Sequence, residues 1–286
     1  MDEVIIRRWQ AADMQDLRDI FTAAFGDPPE DADALHRFFL NTPEACVLAA
    51  APDTERPEGR PVAAAYCLPG PVLCFPDHRV SSVYLYAFGC LPAWRGRGIM
   101  RRVYTSLFRA ACSLAPVSCL VPVSDALLRA YNRTGCTFLP LGRIRFARFT
   151  GTEARAAAAL PVERLPWQAY ARLREERLKE FPHAAYPDAW YQLADTYRYS
   201  FLSLSGALAV VIPQGERRIV AELLCFGADP LCALAGITGI CPSETYEVRT
   251  PVFLPGPGEI RPFVYCHESA GEALGTEEFW YPFGLE

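Results

Sequence analysis

The chain has 286 residues, 51% hydrophobic and 21% charged, which excludes a disordered protein and allows one large core or two ordinary ones. A formal net charge of -5, with Lys179 the single lysine among 28 basic side chains, argues against a general nucleic-acid binder, which carries a basic face. No apolar run approaches the ~18–20 residues of a membrane span, and the start "MDEVIIRRWQ" lacks a signal-peptide layout, so a cytoplasmic protein is expected.

Residues 4–9 are β-rich, and residues 14–25 place Leu17, Ile20, Phe21 and Ala24 at helical spacing. Gly26-Asp27-Pro28-Pro29 stops that helix, and a second follows with Leu35 on its apolar side. Strands are expected near 45–51, 61–68 and 80–91. Next comes "PAWRGRGIM", then a helical face of Ile99, Val103, Leu107 and Ala111. A short strand at 117–123 precedes "SDALLRAYNRTG", a helix with Ser124 as N-cap and Gly135 as C-cap. "TFLPLGRIRFARF" closes the first half as a strand, and an alanine-rich linker or helix around 152–166 leads onward.

In the second half, Pro166 and Pro187 start two helices, the second with Trp190, Leu193, Ala194 and Tyr197 on one face. Strands are expected near 200–205, 207–213 and 217–226, then a short helix "DPLCALAGI" and strands near 246–253, 262–266 and 279–284. The element order resembles the first half in outline, without a residue-level repeat. The expectation is therefore two α/β units, 1–150 and 151–286, each with a mixed, mostly antiparallel sheet flanked by helices. The eleven cysteines mostly sit in apolar strand-like runs and form no C-x-x-C pair, which reads as buried reduced thiols without a metal site.

The "RGRG" segment lies where a strand turns into a helix. A solvated turn and an arginine-glycine tail are alternatives, but a tail would repeat in disordered sequence, and this segment joins two apolar elements. Neither G-x-G-x-x-G nor a Gly-Lys-Ser/Thr loop is present. A diphosphate needs closely packed donors, and a helix N-terminus behind glycines supplies them.

On Pro92, Arg95, Gly96, Gly98 and Ile99 the chain resembles the GNAT superfamily of acyl-CoA-dependent N-acetyltransferases, whose signature is Arg/Gln-x-x-Gly-x-Gly/Ala; Met100 departs from the last position. The resemblance spans about residues 3–149 in element order. It implies that Arg95, Gly96, Arg97, Gly98, Ile99 and Met100 bind the pyrophosphate of acetyl-CoA, taken as co-substrate without a metal. It also implies that the strand containing Phe88, Gly89 and Cys90 is bulged and pairs with the pantetheine arm, a backbone N–H at or beside Cys90 polarising the carbonyl. Tyr131 takes the place of the general acid that protonates the departing sulfur, with Gly135 and Phe138 following it. The acceptor is expected to be an amine, small-molecule or peptide, attacking directly in a ternary complex; a homodimer is possible.

The general base stays open among Tyr84, Tyr86, Asp27, Glu44 and the terminal carboxylate of Glu286, the last because the chain end reaches the active site in some multidomain relatives. A covalent route through Cys90 or Cys136 would need a histidine partner, and no motif places His36, His78, His183 or His267, with His36 expected at a surface or groove. Asp229 and Pro230 stand where the second half would need a cationic cradle, so that half is expected to wall the acceptor cleft or form a dimer contact. Two other readings remain: a non-catalytic acyl-CoA-binding or regulatory protein, and an α/β protein whose glycine turn is only structural.

Overall fold

The computed structural model describes residues 4–40, 45–53, 55–133, 137–268 and 278–282. The first half runs β1 (Ile5–Arg8), α1 (Met14–Phe25), α2 (Pro29–Phe39), β2 (Cys46–Ala51), β3 (Arg60–Pro69), β4 (Val72–Cys74), β5 (Arg79–Val80), β6 (Ser82–Cys90), α3 (Ile99–Leu114), β7 (Val117–Leu120), α4 (Asp125–Asn132) and β8 (Leu139–Thr150). The second runs α5 (Gly151–Ala154), β9 (Val162–Arg164), α6 (Trp167–Leu178), β10 (His183–Ala185), α7 (Asp188–Thr196), β11 (Ser200–Leu204), β12 (Ala207–Gln214), β13 (Arg217–Cys225), α8 (Pro230–Ile240), β14 (Thr245–Pro251) and β15 (Glu259–Glu268). Helix ends follow local chemistry: Gly26 takes a left-handed φ of 77° to end α1, Pro28 and Pro29 open α2, and the Ser124 side chain caps α4.

Among the described residues, twelve strands form one sheet in the order β1-β2-β3-β6-β7-β15-β8-β14-β13-β12-β11-β9. Adjacent strands are antiparallel except for two parallel pairs, β6 with β7 and β13 with β14. Read from either edge, the order is the same: four strands, a parallel partner, then a strand from the other half. Thus β15 lies between β7 and β8, and β8 lies between β15 and β14. The two halves exchange their last long strands, and the backbone groups at the edges of β7 and β14 are met by that exchange.

On one face, α3 covers β2, β3 and β6, and α8 covers the matching strands of the second half, each over its own apolar core. The other face carries one core shared by both halves, from Leu17, Phe21 and Tyr66 to Tyr170, Trp190, Phe201 and Trp280. There α7 is tied to the first half: Trp190 Nε1 donates to the Pro69 carbonyl at 2.8 Å and the Tyr197 hydroxyl to that of Asp31 at 2.9 Å. No helix among the described residues is long and apolar enough to cross a membrane.

Two expectations need correction. The expected strand at 279–284 lies partly outside the described residues, and its described part, 279–282, is not a regular strand: Glu278 makes an isolated bridge with Gly142, and Trp280 one with His183. Phe279, Trp280 and Tyr281 are all buried, so the segment is enclosed by core rather than alternating between faces, and Pro282 lacks the N–H a ladder needs. Gly142 permits this docking, since a Cβ there would lie 2.2 Å from the Phe279 carbonyl oxygen. His36 is not at the surface either; it is 3% exposed, with its ring stacked on Tyr66 and Nε2 3.0 Å from that hydroxyl.

Candidate active site

β6 and β7 run side by side only from Ser82–Val117 to Tyr84–Cys119. Beyond Tyr84 the two strands part, which leaves one edge of β6 without a sheet partner on that side among the described residues. Within this stretch β6 is bulged. From Tyr86 to Gly89 it advances three residues while β3 advances two, from Tyr66 to Ala64. Ala87 adopts φ 50°, a left-handed conformation that a residue with a Cβ takes at a cost, and such strain collects where backbone is aimed at a ligand.

A cavity of about 670 Å³ opens at the splay. Tyr84 to Phe88 of β6 form one wall, Leu120, Val121 and Val123 another, and Leu127 and Tyr131 of α4 a third. Met100, Arg101 and Tyr104 bring in the first turns of α3, Ala130 and Arg133 add the end of α4, and Phe25, Asp27 and Gln214 contribute from α1, the corner after it, and β12.

The glycine loop leads from β6 into α3. Gly96 and Gly98 have φ of 76° and 72°, and a Cβ at either would meet nothing within 4 Å; their role is conformational, and they leave open space above the backbone. Gly98 is the N-cap of α3 and offers no side chain to its free N–H groups. At the equivalent position of the second half, Asp229 Oδ1 accepts from the N–H groups of Leu231 and Cys232, both at 2.9 Å. One helix N-terminus presents bare donors and partial positive charge; the other is filled by its own carboxylate.

Not every residue read from the sequence reaches the cavity. Phe88, Met100 and Tyr131 line it. Gly89 faces α1, where a Cβ would meet Ala24 at 3.0 Å, while Cys90 and Ile99 are buried in the core beneath α3. Arg95 braces the loop, its Nε donating to the Cys90 carbonyl at 3.1 Å and Nη2 to that of Ala23 at 3.4 Å. Arg97 lies over the Trp94 ring at 4.8 Å and donates to the Ala93 carbonyl.

Tyr131 is half-buried, with its ring 5.1 Å from Tyr104 and 5.2 Å from Phe88. Burial pushes its hydroxyl up to about 12, so it holds its proton at neutral pH and can donate it. Of the base candidates, Tyr84, Tyr86 and Asp27 line the cavity; burial raises the Asp27 carboxyl, and burial holds the Tyr86 hydroxyl far above its ordinary range. Glu44, Gly135, Cys136 and Glu286 lie outside the described residues. Burial also raises the Cys90 thiol, the wrong direction for a nucleophile, and the four histidine rings bond to Tyr66, Asp77, Glu175 or backbone carbonyls rather than to sulfur. Among the described residues, no group of three or more His, Cys, Asp or Glu side chains could hold a metal ion. Gln214 was not legible as a cavity residue, because nothing local links β12 to a strand so far away in sequence.

No protein-family model matches the sequence, and no curated protein does. Solved structures do. A GCN5-related N-acetyltransferase from Kribbella flavida aligns with TM-score 0.66 over 93% of this chain and 71% of that one, at 15% identity. One from Anabaena variabilis aligns with TM-score 0.66 over 99% and 77% at 14% identity, and Eis1 from Mycobacterium abscessus with 0.62 over 94% and 75% at 17%. The chain has the GCN5-related N-acetyltransferase fold. In this GCN5-related fold the alignments cover 93–99% of the chain and so run through both halves.

Proposed function

We propose that this protein is an N-acetyltransferase that moves an acetyl group from acetyl-CoA to an amine. The observation that carries the reading is the cavity at the β6–β7 splay, which ends at an uncapped, glycine-shaped helix N-terminus and has a protonated tyrosine on its wall. The residues fit the co-substrate. The N–H groups at the start of α3, behind Gly96 and Gly98, would meet the diphosphate, with Arg101 beside them. The free edge of β6 at Ala87, Phe88 and Cys90 would pair with the pantetheine arm. Acetyl-CoA, when bound, supplies the acyl group on a thioester.

The chain's own groups do the rest. A backbone N–H of the bulge, at Phe88 or toward Cys90, polarises the carbonyl, a contribution of about 3–4 kcal/mol for one well-aimed donor. Tyr131 gives a proton to the departing sulfur, worth roughly 10²–10⁴-fold. Residues 1–150 hold the co-substrate, and residues 151–286 act as a second unit of similar fold that closes the acceptor end, since Asp229 already fills its own helix N-terminus.

Calorimetric titration of acetyl-CoA into wild type, Gly98→Glu and Asp229→Ala tests this. The expected result is binding by wild type and by Asp229→Ala, and loss of binding in Gly98→Glu with its fold intact by circular dichroism. Failure of the wild type to bind would overturn the reading.

A further inference from the structure

Resting on the acetyl-transfer reading, we propose that the acceptor is a small primary amine on an apolar, aromatic-sized body, its nitrogen held between Asp27 and Gln214. Two acceptors from the two halves line the same cavity. Asp27 is the one carboxylate among the described residues of that wall. Its backbone is pinned, between Gly26 in a left-handed conformation and Pro28, which restricts the preceding residue to extended geometry. The carboxylate therefore stands at a fixed corner between α1 and α2. Gln214 Oε1 is buried and has no hydrogen-bond partner among the described residues. A buried acceptor left unmade is costly, and a donor arriving with a ligand removes that cost. A carboxylate and an unpartnered amide side chain lining one cavity, at the end away from Arg101 of α3, call for N–H groups.

The rest of that end is aromatic. Phe25, Tyr84 and Tyr86 line the wall, with the Tyr84 and Tyr86 rings 6.0 Å apart. Ring faces attract an ammonium and pack against an apolar body, but they give no second counter-ion. A polyamine would bury a further charge without a partner, which is strongly unfavourable. A lysine on a folded protein would need backbone clearance on the face where α7 and residues 278–282 pack against Pro69, Asp31 and Tyr84. An ammonium loses two protons on becoming an amide N–H. Asp27 accepts the first, which frees the lone pair, and passes it to solvent. The second leaves nitrogen as the C–N bond forms and the C–S bond breaks, and it replaces the proton that Tyr131 gives to the departing sulfur, so the products are amide, thiol and one released proton. The Asp27 carboxyl, raised by burial, is a better base for that step than an exposed aspartate.

The test pairs turnover with binding. Thiol release from acetyl-CoA would be followed with 2-phenylethylamine, spermidine and an Nα-blocked lysine peptide, and 2-phenylethylamine binding to CoA-saturated protein would be measured by calorimetry. The expected kcat/KM for 2-phenylethylamine is at least tenfold above the other two. Asp27→Asn and Gln214→Leu should each raise its Kd and KM tenfold or more, with the Kd for acetyl-CoA unchanged within twofold. Equal or better turnover of spermidine or the peptide overturns the proposal, as does amine binding that neither substitution weakens. If acetyl-CoA binds normally and 2-phenylethylamine does not bind, this inference alone falls. If acetyl-CoA does not bind, it falls together with the acetyl-transfer reading.

Discussion

Tyr131 lies parallel to Tyr104, ring centroids 5.1 Å apart and planes inclined by 16°. The partner sits on α3, the helix whose N-terminus forms the glycine cradle, so the same helix that would meet the diphosphate also sets the angle of the proposed acid. Removing only the hydroxyl tests the role with the stack preserved. Tyr131→Phe should lower kcat by about 10²–10⁴-fold with little change in KM or Tm. Steady-state kinetics and thermal unfolding of the variant check this, and unchanged kcat would remove Tyr131 from the chemistry.

His36 gives the fold an acid-sensitive element. Burial holds its folded-state value at about 4 against an ordinary 6.5. The unfolded chain takes up a proton near pH 6.5, and the folded chain resists until about pH 4. The unfolded state thus binds more protons in that window, and stability is full above pH 6.5 and falls as pH drops toward 4, by roughly 3 kcal/mol in all. Unfolding curves at stepped pH should show this slope in wild type and lose it in His36→Gln.

A buried ion pair anchors the chain end. Arg174 and Glu222 are both fully buried, with Arg174 Nε 2.9 Å from Glu222 Oε1. Tyr170 and Trp280 Nε1 also donate to that carboxylate. Glu222→Gln removes the buried partner of the guanidinium and leaves it only the partly exposed Glu175, 2.9 Å from Nη1, which should cost about 3 kcal/mol. The double substitution Arg174→Met, Glu222→Leu should recover much of that loss. Denaturant midpoints of the single and double variants decide it.

The strand exchange makes a prediction about fragments. A chain of residues 1–150 lacks β15 and β14, which supply one side of β7 and both sides of β8 with their described partners. Such a fragment should fail to unfold cooperatively and should self-associate through the open edges. Size-exclusion chromatography and near-UV circular dichroism test this. A folded monomer would mean that β8 can pair with β7 directly.

What the sequence determined by itself was local. Left-handed glycines at Gly96 and Gly98, the helix after them, the Ser124 cap and the position of Tyr131 are written in short windows, because φ preference, capping and 3.6-residue periodicity act within a few residues. Asp229 was legible as an acid in place of a cationic cradle, and the structure added that its carboxylate bonds to the N–H groups of Leu231 and Cys232. What only the tertiary structure decided was long-range. Apolar strands such as β7, β8, β14 and β15 carry no label for their neighbours, so their exchange follows from how two sheets join at parallel edges. His36 is buried because β3 places Tyr66 beneath it, and Asp27 and Gln214 line one cavity because a twelve-stranded sheet carries the end of β12 toward the corner after α1. Hydrophobic burial rewards any close apolar fit, and the choice among fits is made by the whole sheet at once.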